Sequence, residues 1–511
     1  MKHLRAVKRT SLRILGALAI LVLAVASVSA QSLPPRAQTI HVAMGSSNST
    51  LDPQKQGNMI DMGVLINMFD MLVFRDRDMN LIPWLATEWY MVDDHTWQFK
   101  LREGVRFHNG EPFNAEAVKF SIERLLDPAT ASPIVELRHV TEVEVVDEYT
   151  VNIRTSYPDP LIPNKLTMFG GVIVPPQYIK EHGDQHFAQN PVGTGPFKFV
   201  EWRRDGYLVL EANEDYWRGA PEVPYVVFHA IPDDASRVAA LQSGEIDVAT
   251  NVPPDIVPVI ERAPGVRVLS IPGLRVHYLY PDSRVEPLTN RLVRQAINHA
   301  IDVDALIEAV LGGHATRTDS MISEAMFGHN PDIVRYPYDP AKARQLLAEA
   351  GYPNGFELTL HATSGTYMKD RDVALAVAAM LNEAGIRTNV EILEYGTFRD
   401  YLVNDTMGEL YFIGVLAWTL DGTSNMQADV LSTGPYSRIR DERLDDLIFV
   451  AASSMDQDER FEAYQEIQRI LHEEAYFVPL WTGNDIYGLS NRVDWTPWRN
   501  QLIWLGDAKI R

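Results

Sequence analysis

Cysteine is absent from all 511 residues of this chain. The fold therefore uses no disulfide, and no acylated cysteine tethers it to a membrane as a lipoprotein. Positive charge is also short, with 46 Lys and Arg against 68 Asp and Glu and a formal net charge of −22. That balance argues against nucleic-acid binding, which needs a basic footprint. Long apolar runs are missing after Val28, so no later stretch reaches the roughly 20 residues of a membrane span. The familiar catalytic strings are missing too. There is no Gly-x-Ser-x-Gly, no His-Glu-x-x-His, no phosphate-binding Gly-x-x-x-x-Gly-Lys and no dinucleotide fingerprint. The 14 histidines are scattered without metal-ligand spacing. His472-Glu473-Glu474 reads as a solvated helix end and Asp93-Asp94-His95 as a turn, so neither a metal nor a cofactor is expected.

The N-terminus departs from both shortages. Lys2, Arg5, Lys8, Arg9 and Arg13 precede an apolar run from Ile14 to Val28, and Val28-Ser29-Ala30 supplies small residues before Gln31. This is the pattern of a secretory signal peptide over residues 1–30, cleaved after Ala30. The remaining length suits two or three domains with substantial cores. Helical and strand patterns alternate throughout without an internal repeat, so the class is α/β.

Several strings carry more than local structure. Asn190-Pro191-Val192-Gly193-Thr194-Gly195-Pro196 leads into alternating Phe197, Phe199 and Glu201, an Asp-Gly turn ending at Gly206, and a return strand from Tyr207 to Ala212. The two glycines are expected to adopt backbone angles closed to other residues. Asn213-Glu214-Asp215-Tyr216-Trp217 follows. Ala86 to Gly110 holds an alternating strand, Trp97, Phe99 and Leu101, which is expected to pair with Val105–Phe107. Asn114 caps a helix, and Asn58 to Asp70 has helical spacing. Gln242-Ser243-Gly244-Glu245-Ile246-Asp247 ends another helix, and Ser270-Ile271-Pro272-Gly273 is a candidate crossing between lobes. Leu410 to Ala417 reads as a buried strand feeding Trp418-Thr419-Leu420-Asp421-Gly422.

Together these strings resemble the family-5 solute-binding proteins of ABC importers, the dipeptide, oligopeptide and nickel receptors. The resemblance covers nearly the whole chain after the leader. It implies a two-lobed, type II periplasmic binding protein-like fold with an α/β subdomain inserted in the first lobe. The expected boundaries are 31–70, 191–269 and 478–511 for lobe I, 71–190 for the insertion and 270–477 for lobe II. It also implies a monomer, free in the periplasm, that closes on a peptide or small solute and docks on an inner-membrane permease and ATPase complex.

Site residues follow from the same likeness. Ala417, Trp418, Thr419 and Asp421 match a Gly-Trp-x-x-Asp stretch whose aspartate pairs with a peptide's α-amino group, with Ala417 in place of glycine. A carboxylate in a water-poor cleft makes a strong charge-assisted bond to an ammonium. Without the likeness, Asp421 reads as a turn residue and Trp418 as core. Gly57, Asn58 and Met59 fall where relatives offer backbone groups. Thr366, within Gly365-Thr366-Tyr367, stands where many relatives carry an arginine for an anionic group. Opines, sugar conjugates, oligosaccharides and metal chelates remain alternative ligands. An exported hydrolase and a peptide-holding chaperone remain alternative classes.

Overall fold

The computed structural model describes residues 33–511, so the signal-peptide expectation over 1–30 lies outside the described residues. Met1–Thr39 and Ile40–Arg511 form separate units. In the first, Arg36–Gln38 make a single 3-10 turn. The second holds everything that follows.

An eleven-stranded mixed sheet runs through this unit. On one side Thr39–Met44 pairs in parallel with the short strand Val248–Ala249, and the Phe197–Arg203 and Tyr207–Ala212 hairpin extends the sheet through Tyr225–Ala230. On the other side Phe356–Thr363 lies in parallel between Ile386–Leu393 and Leu410–Leu416. Two long antiparallel strands, Val266–Pro281 and Val478–Ser490, join the halves. Their pairing is broken between Pro272 and Val276, because proline donates no ladder hydrogen bond and glycine adds no side chain to pack. Before the break Val266–Pro272 pairs with Pro-distal Asn484–Ser490; after it Val276–Leu279 pairs with Val478–Thr482 while Arg275–Pro281 also pairs with Leu410–Leu416.

A separate four-stranded antiparallel sheet, ordered Ala86–Asp93, Thr96–Leu101, Thr150–Thr155 and Val140–Asp147, packs with helix Ala115–Leu126 in the 71–190 region. Thr96–Leu101 therefore pairs with Ala86–Asp93 and Thr150–Thr155, not with Val105–Phe107. The latter segment folds locally, Phe107 donating to the Glu111 carbonyl and accepting none of the sheet's bonds. Helix Met59–Leu65 is shorter than the Asn58 to Asp70 pattern predicts. Its continuation is taken up by the opening string: Gly195 N–H donates to the Met68 carbonyl at 2.9 Å and Phe197 N–H to Asn67 at 2.8 Å.

That contact also corrects the expectation for the two glycines. Neither Gly193 nor Gly195 has a positive φ. They are needed for close approach: a Cβ on Gly193 would lie 2.0 Å from the Met68 carbonyl oxygen, and one on Gly195 2.5 Å from its carbon. Both obstacles are backbone and cannot rotate away. Gly193→Ala should destabilise the protein by about 2–3 kcal/mol, the scale of overpacking a filled site. Urea unfolding checks this, and a variant within 0.5 kcal/mol of the parent, about the spread of neutral surface changes, contradicts it.

Candidate functional site

The sequence places its main candidates just after the Leu410–Leu416 strand, which runs antiparallel to Arg275–Pro281. The chain then turns tightly, Leu420 N–H donating to the Ala417 carbonyl at 2.9 Å with Leu420 at a left-handed φ of 56°. Such backbone is strained for a leucine and persists only where its surroundings fix it. Leu420 is buried, and Phe327 N–H binds its carbonyl at 2.9 Å.

Asp421 holds this turn from within. It is 1% exposed. One carboxylate oxygen takes Arg460 at 2.6 Å. The other takes the Thr423 hydroxyl at 2.6 Å, the Thr423 amide at 3.0 Å and the Tyr464 hydroxyl. Arg460 and Tyr464 sit one helical turn apart on Gln457–Glu473 and so reach the same carboxylate. Burial beside this carboxylate pushes the Tyr464 phenol well above its ordinary value. An aspartate open to a ligand's ammonium is the sequence expectation; here both oxygens are engaged inside the protein.

The rest of the turn meets the 71–190 region. The Thr419 carbonyl accepts Arg75 Nη2 at 2.5 Å and Asn164 Nδ2 at 2.9 Å. Trp418 is half-buried, edge-on to Phe169 at 6.0 Å. Ala417 is buried and supplies only the turn's carbonyl. Burial lowers the Arg75 pKa to about 10, with Asp421 and Asp76 opposing the shift. Elsewhere Lys369 pairs with Asp255 at 2.9 Å.

Gly57 and Asn58 are exposed and Met59 half-buried at the start of the Met59–Leu65 helix. The Asn58 amide is already spent on Gln56 and its side chain caps the helix through Asp61. Among the described residues no hydrogen bond joins 57–59 to the 417–421 turn. Thr366 is exposed, and its amide, with those of Gly365 and Tyr367, donates to the buried Asp370 carboxylate.

Two charged residues that sequence reasoning passed over stand at the strand break. Asp485 receives Gln501 Nε2 on one oxygen at 2.7 Å, while Oδ2 is shut off from solvent without a hydrogen-bond partner. Burial pushes its pKa to about 6; the Gln501 bond and nearby Arg275 pull the other way. Arg275 donates to the Gly414 carbonyl at 3.0 Å, lies 5.8 Å from the Tyr367 ring centroid and makes no ion pair among the described residues. The available signal was a charge embedded in an apolar strand beside Pro272-Gly273 and again beside Gly483. A cavity of about 30 Å³, lined in part by Asp319, Arg335, Tyr336 and His472, has room for a water or two and shares none of these residues.

Arg460→Met should destabilise the protein by about 3 kcal/mol, because it leaves the buried Asp421 carboxylate without its cation. Chemical denaturation reads this, and a loss under about 1 kcal/mol would show the ion pair to be dispensable. The raised Asp485 pKa also sets a sign. The folded chain holds this proton more tightly, so the destabilisation is absent below the ordinary value of 3.8 and complete above about 6. Asp485→Asn should therefore gain stability relative to the parent between pH 4 and pH 7, by at most about 3 kcal/mol. Melting curves across that range check it; a difference independent of pH contradicts it.

Comparison with known proteins agrees with this architecture. The glutathione-binding protein GsiB of Escherichia coli K12 is 28% identical over 492 residues, 93% of each chain. A Helicobacter pylori periplasmic binding protein, DppA, solved with the peptide STSA, superposes with a TM-score of 0.78 at 28% identity, covering 92% of this chain and 98% of that one. The substrate-binding protein CtaP of Listeria monocytogenes shares the fold with a TM-score of 0.84 at 24% identity, over 92% and 99% of the two chains. The profile of the bacterial extracellular solute-binding proteins, family 5 Middle, matches residues 80–437. The chain belongs to the family 5 bacterial extracellular solute-binding proteins, two-lobed receptors of ABC importers rather than enzymes.

Proposed function

We propose that this protein captures short peptides or peptide-like solutes in the periplasm by closing its two halves about the strand crossing. The bound, closed form then presents itself to a membrane permease and its ATPase. One observation carries the reading: both halves share only the paired strands Val266–Pro281 and Val478–Ser490 in the large sheet, and their register breaks at Pro272. Two paired strands interrupted between Pro272 and Val276 give a hinge, whereas a continuous sheet resists bending. Polar ties at the seam, Arg75 and Asn164 to Thr419, are few enough to open. Ligand that bridges the halves favours closure by its differential affinity for the closed form.

Peptide is the favoured ligand class because GsiB is named for glutathione and DppA was solved with a peptide, each at 28% identity. The proposed lobes keep the boundaries 31–70, 191–269 and 478–511, then 270–477, with 71–190 inserted. In this reading Trp418 and the Thr419 main chain wall the ligand, Gly57–Met59 face it from the first lobe, and Thr366 lines the far side without charge. Asp421 fixes the turn that carries Trp418. A leader over 1–30 would export the protein, which acts as a monomer.

Mass spectrometry of small molecules released on denaturing the purified protein should give a ladder of short peptides. A single non-peptide compound overturns the peptide reading. Reduced glutathione or tripeptides at a hundred times Kd should stabilise the protein by about 2.7 kcal/mol. Small-angle scattering should record a smaller radius of gyration with ligand, and the ligand should be recovered unchanged. Turnover of the ligand would point to an exported hydrolase.

A further inference from the structure

Tyr216 and Trp217, at the end of the 213–217 string, build an indole platform that shares no residue with the 417–421 turn. One buried carboxylate holds it. Asp70 accepts the Trp84 indole at 2.7 Å, the Trp217 indole at 2.9 Å and the Tyr216 hydroxyl at 3.0 Å. Trp84 meets Trp217 edge to face with ring centroids 5.4 Å apart, and meets Trp504 in the same way at 5.9 Å. Three indoles from distant parts of the chain are thereby fixed against one another.

Two arginines lie over this platform. The Arg102 guanidinium carbon is 4.4 Å from the Trp217 centroid. That of Arg218 is 4.0 Å from Trp84 and 5.8 Å from both Trp217 and Trp504. Trp217 is the one ring among the described residues that carries two guanidiniums. Neither arginine forms an ion pair among the described residues. Arg102 spends its Nε on the Trp84 carbonyl at 2.8 Å, and Arg218 is exposed and makes no side-chain hydrogen bond among the described residues. Burial, and then the neighbouring Arg218 charge, lowers the Arg102 pKa, while Asp70 opposes the shift through its field. Two cations held side by side without a paired acid repel each other, and an anion from outside the chain relieves that repulsion. A guanidinium over a ring keeps its N–H edge for such an anion, and the fork matches a carboxylate.

The rest of the molecule decides which anion fits. A formal net charge of −22 repels a broad anionic surface such as a membrane, and two arginines offset little of that repulsion. Trp84 and Trp504 are 2% and 6% exposed, so their rings are not offered to a bilayer interface. Carboxylates confined to a short segment meet both guanidiniums without bringing a wide negative surface against the acidic remainder. We propose that Arg102 and Arg218, over Trp217 and Trp84, are a docking site for a glutamate- or aspartate-rich segment of a partner protein. One carboxylate takes the Arg218 fork and a second takes the Nη atoms of Arg102. The site works apart from ligand capture and goes beyond it.

The test titrates the purified protein against a dye-labelled Gly-Glu-Glu-Gly-Glu-Glu amide and its glutamine counterpart, read by fluorescence anisotropy at low salt. The wild type should bind the glutamate peptide saturably and the glutamine peptide at least about ten-fold more weakly. Arg218→Ala should weaken the glutamate peptide about ten-fold, the loss of one charge-assisted contact. Arg218→Lys keeps the charge without the fork and should recover only part of that loss. Arg204→Ala, which removes an exposed arginine from over Trp202, should leave binding unchanged. Equal weakening by Arg204→Ala shows general charge attraction and overturns the site, as does a wild type that binds neither peptide. Phosphatidylglycerol vesicles that bind the wild type but not Arg218→Ala, without peptide binding, overturn the protein partner in favour of a membrane. A dimer in analytical centrifugation that Arg218→Ala dissociates makes the occupant a second copy of this chain, and overturns the proposal too.

Discussion

Everything in the large sheet depends on two antiparallel strands that belong to both halves. Val266–Pro281 and Val478–Ser490 pair along most of their length, so the halves cannot separate without breaking a long ladder. The ladder's register shifts twice, between Pro272 and Val276, where Pro272 lacks an amide hydrogen and Gly273 and Gly483 add no side chain, and again between His277 and Tyr278. The sheet is therefore stiff within each half and compliant between them. Outside the paired strands the halves also meet through polar contacts such as Arg75 to Thr419 and through apolar packing such as Trp418 on Phe169.

Buried carboxylates do the rigid work within each half, and each is satisfied differently. Asp421 is neutralised by Arg460 and fixes the turn bearing Trp418. Asp70 makes no ion pair among the described residues; it accepts from Trp84 and Trp217 indoles and the Tyr216 hydroxyl, and burial raises its pKa. Asp52 takes Arg124, whose guanidinium also reaches Asp184, and so joins the polar loop after the first strand to the 71–190 region. These pairs are costly to break, because removing one partner leaves the other unsolvated. They explain why short polar phrases recur in this sequence: Tyr216-Trp217 is part of a hydrogen-bonded anchor for the chain near Asp70.

Much of this was legible in the chain. The cap at Asn114 marks a true helix start, because a side-chain oxygen bonding the third amide is local chemistry. The helix at Arg291–Ala300 starts from Asn290, whose side chain accepts the Leu292 amide. What stayed hidden was long-range pairing. Val478–Ser490 is one strand of 13 residues, and it runs straight through Gly483-Asn484-Asp485. Its continuation is dictated by the strand beside it, more than two hundred residues away in sequence. The glycines at 193 and 195 misled for the same reason: their constraint is a neighbouring backbone, which no local pattern encodes.

The site was legible as a phrase and not as chemistry. Trp418 to Asp421 can be picked out by likeness, but the partner of Asp421 lies on the helix Gln457–Glu473, so only the folded chain shows where its charge is spent. Asp485 is the converse case. In sequence it is one more acid in an acidic protein; in the fold one of its oxygens is shut off from solvent at the strand break while the other takes Gln501. A carboxylate oxygen without a donor favours the protonated form, and burial accordingly pushes the pKa of this carboxyl to about 6. That cost belongs to the long-range pairing of Val266–Pro281 with Val478–Ser490, which no local pattern around Asp485 encodes.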